Sequence, residues 1–108
     1  MLDCKYDQTM HSLTFTFSGH LDSAASIPLL PEVEKKVAEV AGEPSALKKP
    51  LQIVFDLKEV DFISSAFIRI CMVVSAKVKA GNLALRNASP LIKKTVKISG
   101  LENQLQIS

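Results

Sequence analysis

The sequence predicts an α/β domain, a single-layer mixed and largely parallel sheet with helices, in the order β-β-α-β-α-β-α-β. Three observations carry this. Residues Ser12 to Ser18 alternate, with Leu13, Phe15 and Phe17 against Thr14, Thr16 and Ser18; period two with aromatics and threonines is the pattern of a half-buried strand. Leu51 to Leu57 (LQIVFDL) is a short apolar run between turn signals, which predicts a central strand buried on both faces. Phe67, Ile70, Cys71, Val74 and Val78 recur at helical spacing between Ser64 and Gly81, so a long helix with one core stripe follows that strand. Strands that alternate with helices pair in parallel through right-handed crossovers.

The elements follow in order. Asp3 to Asp7 reads as a short edge strand, and Gln8 to His11 as the hairpin loop to the strand that Gly19 ends. Ser23 to Leu30 is a helical turn broken by Pro28 and Pro31. Pro31 to Ala41 is a helix with Val33, Val37, Val40 and Ala41 on one face and Glu32, Lys35, Lys36 and Glu39 elsewhere. Pro31 suits the first helical position, where a missing N–H costs nothing, and Gly42 suits the stop. Lys58 to Ile63 is read as a connection into the long helix, whose stripe Ile68 and Met72 widen. Those two residues pack in the core or meet a partner. Leu83 to Arg86 is a short strand. Ser89 caps a helix that begins at Pro90 and stops at Gly100. Leu105 and Ile107 mark a final short strand.

Composition narrows the function. The 108 residues, 47% hydrophobic and 22% charged, make one globular domain spanning 1–108. Residues 1–46 carry three lysines and seven acids, and residues 47–108 ten basic residues and four acids. The two ends thus differ in sign, although the net charge is only +2. Met1 to Met10 lacks the basic and apolar regions of a signal peptide, and no apolar run exceeds the five residues Ile70 to Val74. The expectation is a cytoplasmic protein with no membrane insertion. Cys4 and Cys71 lack metal-ligand spacing, and neither a P-loop nor a G-x-G-x-x-G occurs. No cofactor or metal is expected. Lys93, Lys94 and Lys97 cluster on one helix without interleaved aromatics, which argues for a solvated face and against nucleic acid.

Function in such sheets gathers beyond the carboxyl ends of the parallel strands. Two junctions stand there, Gly19-His20-Leu21-Asp22 and Phe62-Ile63-Ser64-Ser65-Ala66-Phe67. Ser64-Ser65 at a helix start reads either as an N-cap or as a phosphoacceptor, since a phosphate there meets free N–H groups and the positive helix end. An enzyme with Ser65, His20 and Asp22 as nucleophile, base and orienter is a third reading, but no nucleophile elbow accompanies it. His11 and His20 read as turn residues.

The stretch Val54-Phe55-Asp56-Leu57 … Val60-Asp61-Phe62-Ile63-Ser64-Ser65-Ala66 resembles the signature of the STAS domains of anti-sigma factor antagonist type. Gly19-His20-Leu21-Asp22 resembles that family's G-x-L-D, Asn87-Ala88-Ser89-Pro90 its N-x-S-P, and Ile98-Ser99-Gly100-Leu101 its x-S-G-L. The four motifs stand in order across nearly the whole chain. The resemblance implies a bacterial partner-switching protein that is not an enzyme. It binds an anti-sigma factor that is a serine kinase, loses it on phosphorylation and is restored by a phosphatase. It implies Ser65 as phosphoacceptor and Asp22, Ser64, Ala66, Phe67 and Arg69 as the partner-binding surface; a homodimer stays open. Phe67 stands where the family usually has Gly, and either fills the core or projects toward the partner. Ile27 to Leu30 resembles an insertion at the rim of that surface. The alternative is a STAS scaffold, never phosphorylated, serving a transport or signalling assembly.

Overall fold

The computed structural model describes residues 2–7, 9–41, 51–77, 82–100 and 106–107. Nine elements run along them: β1 (Leu2–Asp7), β2 (Ser12–Leu21), α1 (Ser23–Ser26), α2 (Leu29–Ala41), β3 (Gln52–Ile63), α3 (Ser65–Lys77), β4 (Leu83–Arg86), α4 (Pro90–Ser99) and β5 (Gln106–Ile107). The sheet has five strands in the order β1-β2-β3-β4-β5. β1 is antiparallel to β2, and every other pair is parallel. The α/β class and the mixed, largely parallel sheet are as the sequence predicts.

Each parallel crossover moves one strand over in the same direction. Crossovers of one hand then place all helices on one face, and burial follows that geometry. Leu13, Phe15 and Phe17 of β2, Ile53, Phe55 and Leu57 of β3, and Leu83 and Leu85 of β4 are at most 1% exposed. Their strand neighbours Thr14, Thr16, Gln52, Val54, Asp56 and Ala84 are only half-buried on the opposite face. The expectation that β3 is covered on both faces is therefore corrected: it is central but covered on one. Gln52 and Asp56 are the polar positions of its open side.

Four phenylalanines with no exposed surface form the centre of the core. Phe17 meets Phe55 and Phe67 edge-on, with ring centroids 5.0 Å apart in each pair, and Phe15 meets Phe55 at 5.7 Å. Edge-to-face rings place a positive rim against a negative face. From the helices, Val33, Val37, Ile70, Cys71, Val74, Ile92 and Val96 close over them. Burial in this apolar layer pushes the Cys71 thiol up to about 12, so it packs as a small hydrophobe.

Three boundaries differ from the sequence reading. β2 does not end at Gly19 but continues to Leu21, and residues 58–63 are strand, not connection. The two strands stay paired because β3 bulges: Thr16 pairs with Asp56 but Ser18 with Glu59, and Gly19 pairs with Val60 but His20 with Phe62. Each shift inserts one extra β3 residue and bends the pair. Gly19 sits at φ 95°, where a side chain is disfavoured. α2 begins at Leu29, two residues before Pro31. Its first four N–H groups have no intrahelical partner, so proline is tolerated at the third position as well as the first. α4 is as expected: Ser89 Oγ accepts the Ile92 N–H at 3.3 Å, and Gly100 closes the helix at φ 83°. Gly42, Val78, Gly81, Leu101 and Leu105 lie outside the described residues.

One side chain ties the first bulge to the β4–α4 loop. Asp56 Oδ1 accepts the Lys58 N–H and an Asn87 Nδ2–H, both at 3.0 Å. Asn87 itself holds the left-handed conformation, φ 58°, which asparagine tolerates better than most residues. Asp56→Ala removes both bonds and leaves the two donors to water. It is expected to cost about 0.5–1.5 kcal/mol of unfolding free energy, read from urea denaturation.

Candidate functional site

β1 pairs with β2 only as far as Phe17, and β4 pairs with β3 only as far as Asp56. Past those points β2 and β3 continue as a two-stranded ribbon among the described residues. Its inward side chains, Leu21, Val60 and Ile63, are buried beneath the helices. Leu21 pairs with Ile63 at its tip, so the chain leaves from neighbouring points into Asp22 and α1 on one side, and into Ser64 and α3 on the other. The two junctions singled out in the sequence therefore share one end of the sheet.

Asp22 is exposed and caps α1, its Oδ1 accepting the Ala25 N–H at 2.8 Å. Ser26, at the other end of α1, is fully buried and donates to the Leu21 carbonyl at 3.3 Å. That bond holds α1 against the ribbon.

The two serines divide the helix start between them. Ser64 is half-buried; its Oγ accepts the Phe67 N–H at 3.4 Å and its carbonyl accepts the first intrahelical bond, from Ile68, at 3.0 Å. Ser64 is thus the N-cap. Ser65 is the first helical residue and is exposed, and its hydroxyl makes no hydrogen bond with any described residue.

Phe67 resolves the alternative left open by the sequence. Its ring is fully buried between Phe17 and Phe55. As a surface residue that touches a partner it is corrected: it fills the core, and half-buried Ala66 is the side chain that follows Ser65 at the surface. The exposed stripe of α3 is Ser65, Arg69 and Met72, at i, i+4 and i+7. Met72 is 52% exposed, so it does not widen the core stripe, whereas Ile68 is half-buried against the core. Arg69 and Ala66 line a groove of about 230 Å³ with Ser26, Ile27 and Leu30. Ile27 at its rim is 67% exposed.

Sequence reasoning missed a cluster at the ribbon tip. His20 lies flat on Phe62, ring centroids 4.4 Å apart at 14°, and its Nδ1 stands 3.3 Å from Asp61 Oδ1. His20 and Phe62 are register partners only because the second bulge displaces Asp61. His11, read as a loop residue, is buried: it adopts φ 51° and its Nδ1 is 2.8 Å from the Tyr6 hydroxyl. The serine–histidine–aspartate constellation is not assembled. His20 is engaged by Asp61 and Phe62, and Asp22 by the Ala25 amide. No cluster of three His, Cys, Asp or Glu among the described residues could hold a metal ion, and no described helix is long and apolar enough to cross a membrane. A larger concavity, about 420 Å³, lies on the open sheet face between Lys5, Thr14, Val54 and Arg86, outside this site.

No curated protein matches the chain in sequence. Among solved structures, the anti-sigma factor antagonist SpoIIAA in its unphosphorylated form superposes with a TM-score of 0.73 at 16% identity, covering 100% of this chain and 88% of that one. The Bacillus cell fate determinant SpoIIAA in its phosphorylated form gives 0.64 at 15% identity, covering 100% and 91%. At such identities the likeness establishes the fold. Residues 4–108 match the STAS domain as a protein family. By that match over nearly its whole length, and by the sheet and helix order it shares with these structures, the chain belongs to the STAS domain family.

Proposed function

We propose that this chain is an anti-sigma factor antagonist of a bacterial partner-switching system, acting in the cytoplasm. The end of the sheet that carries Asp22, Ser64, Ser65, Ala66 and Arg69 binds an anti-sigma factor with serine-kinase activity and so frees a sigma factor. The kinase transfers the γ-phosphoryl group of ATP to Ser65 Oγ, the hydroxyl proton goes to the kinase's base, and ADP leaves. The phosphorylated chain loses its partner, and a phosphatase returns it to the binding form.

The observation that carries this reading is the division of labour between the two serines. Ser64 supplies the N-cap, which leaves Ser65 exposed with an unengaged hydroxyl. A phosphate on the first helical residue suits the fold, because it lies at the positive end of the helix dipole. The likeness to SpoIIAA, solved in both an unphosphorylated and a phosphorylated form, supports the same reading.

The test is phosphorylation by the cognate kinase and ATP, followed by intact mass. One phosphate is expected on the native chain and none on Ser65→Ala. Ser64→Ala should still be phosphorylated while losing about 1 kcal/mol of stability, the usual cost of deleting a helix cap. Continued phosphorylation of Ser65→Ala overturns the assignment.

A further inference from the structure

We propose that Arg69 is the built-in counter-ion of a phosphate on Ser65. This rests on Ser65 as the modified residue, and it adds what the chain itself does with the modification.

Ser65 and Arg69 are both exposed on the outer stripe of α3. Residues four apart on a helix are neighbours, roughly 5–6 Å between Cβ atoms, and an anion N-terminal to the cation is the favourable order. Arg69 is the one charged residue between Ser64 and Ser75. Among the described residues it makes no ion pair. The other charged groups at the strand ends are Asp22, already bonded to the Ala25 amide, and Asp61, bonded to His20. Neither carboxylate is paired with Arg69, and both would repel a phosphate that strayed toward them. A guanidinium pairs with phosphate oxygens through two parallel N–H bonds. The pairing also withdraws from the groove of Ser26, Ile27, Leu30 and Ala66 its one cation among the described residues. Phosphorylation therefore changes this surface twice over, by adding a dianion and by removing an available guanidinium.

The experiment installs phosphoserine at position 65 during synthesis, with no kinase involved, and follows the second phosphate ionisation by phosphorus NMR. A guanidinium beside the phosphate favours the dianion. The titration midpoint of the native chain should therefore lie below that of Arg69→Gln by about half a pH unit. Arg69→Lys, a point charge without the fork, should fall between them. Arg69 is exposed, and urea denaturation of the three chains verifies that folding is unchanged. Coincident midpoints for the native chain and Arg69→Gln overturn the pairing, including the case where both lie below free phosphoserine and the helix end alone holds the phosphate. Because the phosphate is placed without a kinase, this result is independent of whether a kinase selects Ser65. The Ser65→Ala labelling experiment answers that question separately.

Discussion

Phe67→Ala is expected to lower the unfolding free energy by about 3–5 kcal/mol, the usual cost of emptying a large aromatic site in a core. The ring has no exposed surface, contacts Phe17 edge-on at 5.0 Å and lies 6.0 Å from Phe55. Its removal takes away burial, two aromatic contacts and the plug between α3 and the sheet. Small domains are stable by only about 5–15 kcal/mol, so this single change consumes a large share. Urea denaturation followed by circular dichroism reads the effect. A loss below about 1 kcal/mol would mean that the Phe67 ring does not fill the core. Ser65→Ala, two residues earlier and exposed, is expected to stay within about 0.5 kcal/mol of the native chain. The contrast separates residues that build the helix seat from the residue displayed on it.

The position of Phe67 also marks how far the sequence could be read. Helical spacing alone puts Phe67 with Ile70, Cys71 and Val74, and the structure buries all four. What stayed open was whether that face turns to the sheet throughout the first turn, and only the ring contacts with Phe17 and Phe55 decide it. The strand ends were less legible for a different reason. Lys58, Glu59 and Asp61 look like a polar connection, yet they are strand, because β2 supplies hydrogen-bond partners along the whole ribbon and two bulges absorb the extra residues. Pairing with a distant segment overrides local propensity. The His20–Phe62 stack was invisible for the same cause, since one slip in register separates the two rings. The one-sided sheet was half visible: Gln52 and Asp56 interrupt an otherwise apolar run. The serines were the most legible part. Cap chemistry predicted that one of them satisfies the helix start, and the structure assigns that to Ser64.

Ser65→Asp should move stability and binding in opposite directions. A carboxylate on the first helical residue is favoured by the helix dipole, by about 0.3–1 kcal/mol, and Arg69 is four residues on for a further weak, solvent-screened contact. The isolated variant should thus unfold at slightly higher urea than the native chain. Binding to the anti-sigma factor should fall by about 2–5 kcal/mol, roughly 30-fold to 5,000-fold in Kd, because a carboxylate buried at an interface loses a hydration that the weak contact with Arg69 does not replace. Titration calorimetry with the cognate partner measures this, with denaturation run on the same sample. Unchanged affinity would remove Ser65 from the interface. Reduced affinity with reduced stability would trace the loss to a damaged helix start instead of a charge at the contact. Only a firmer fold combined with a lost partner identifies a surface on which the domain accommodates an anion and the bound protein does not.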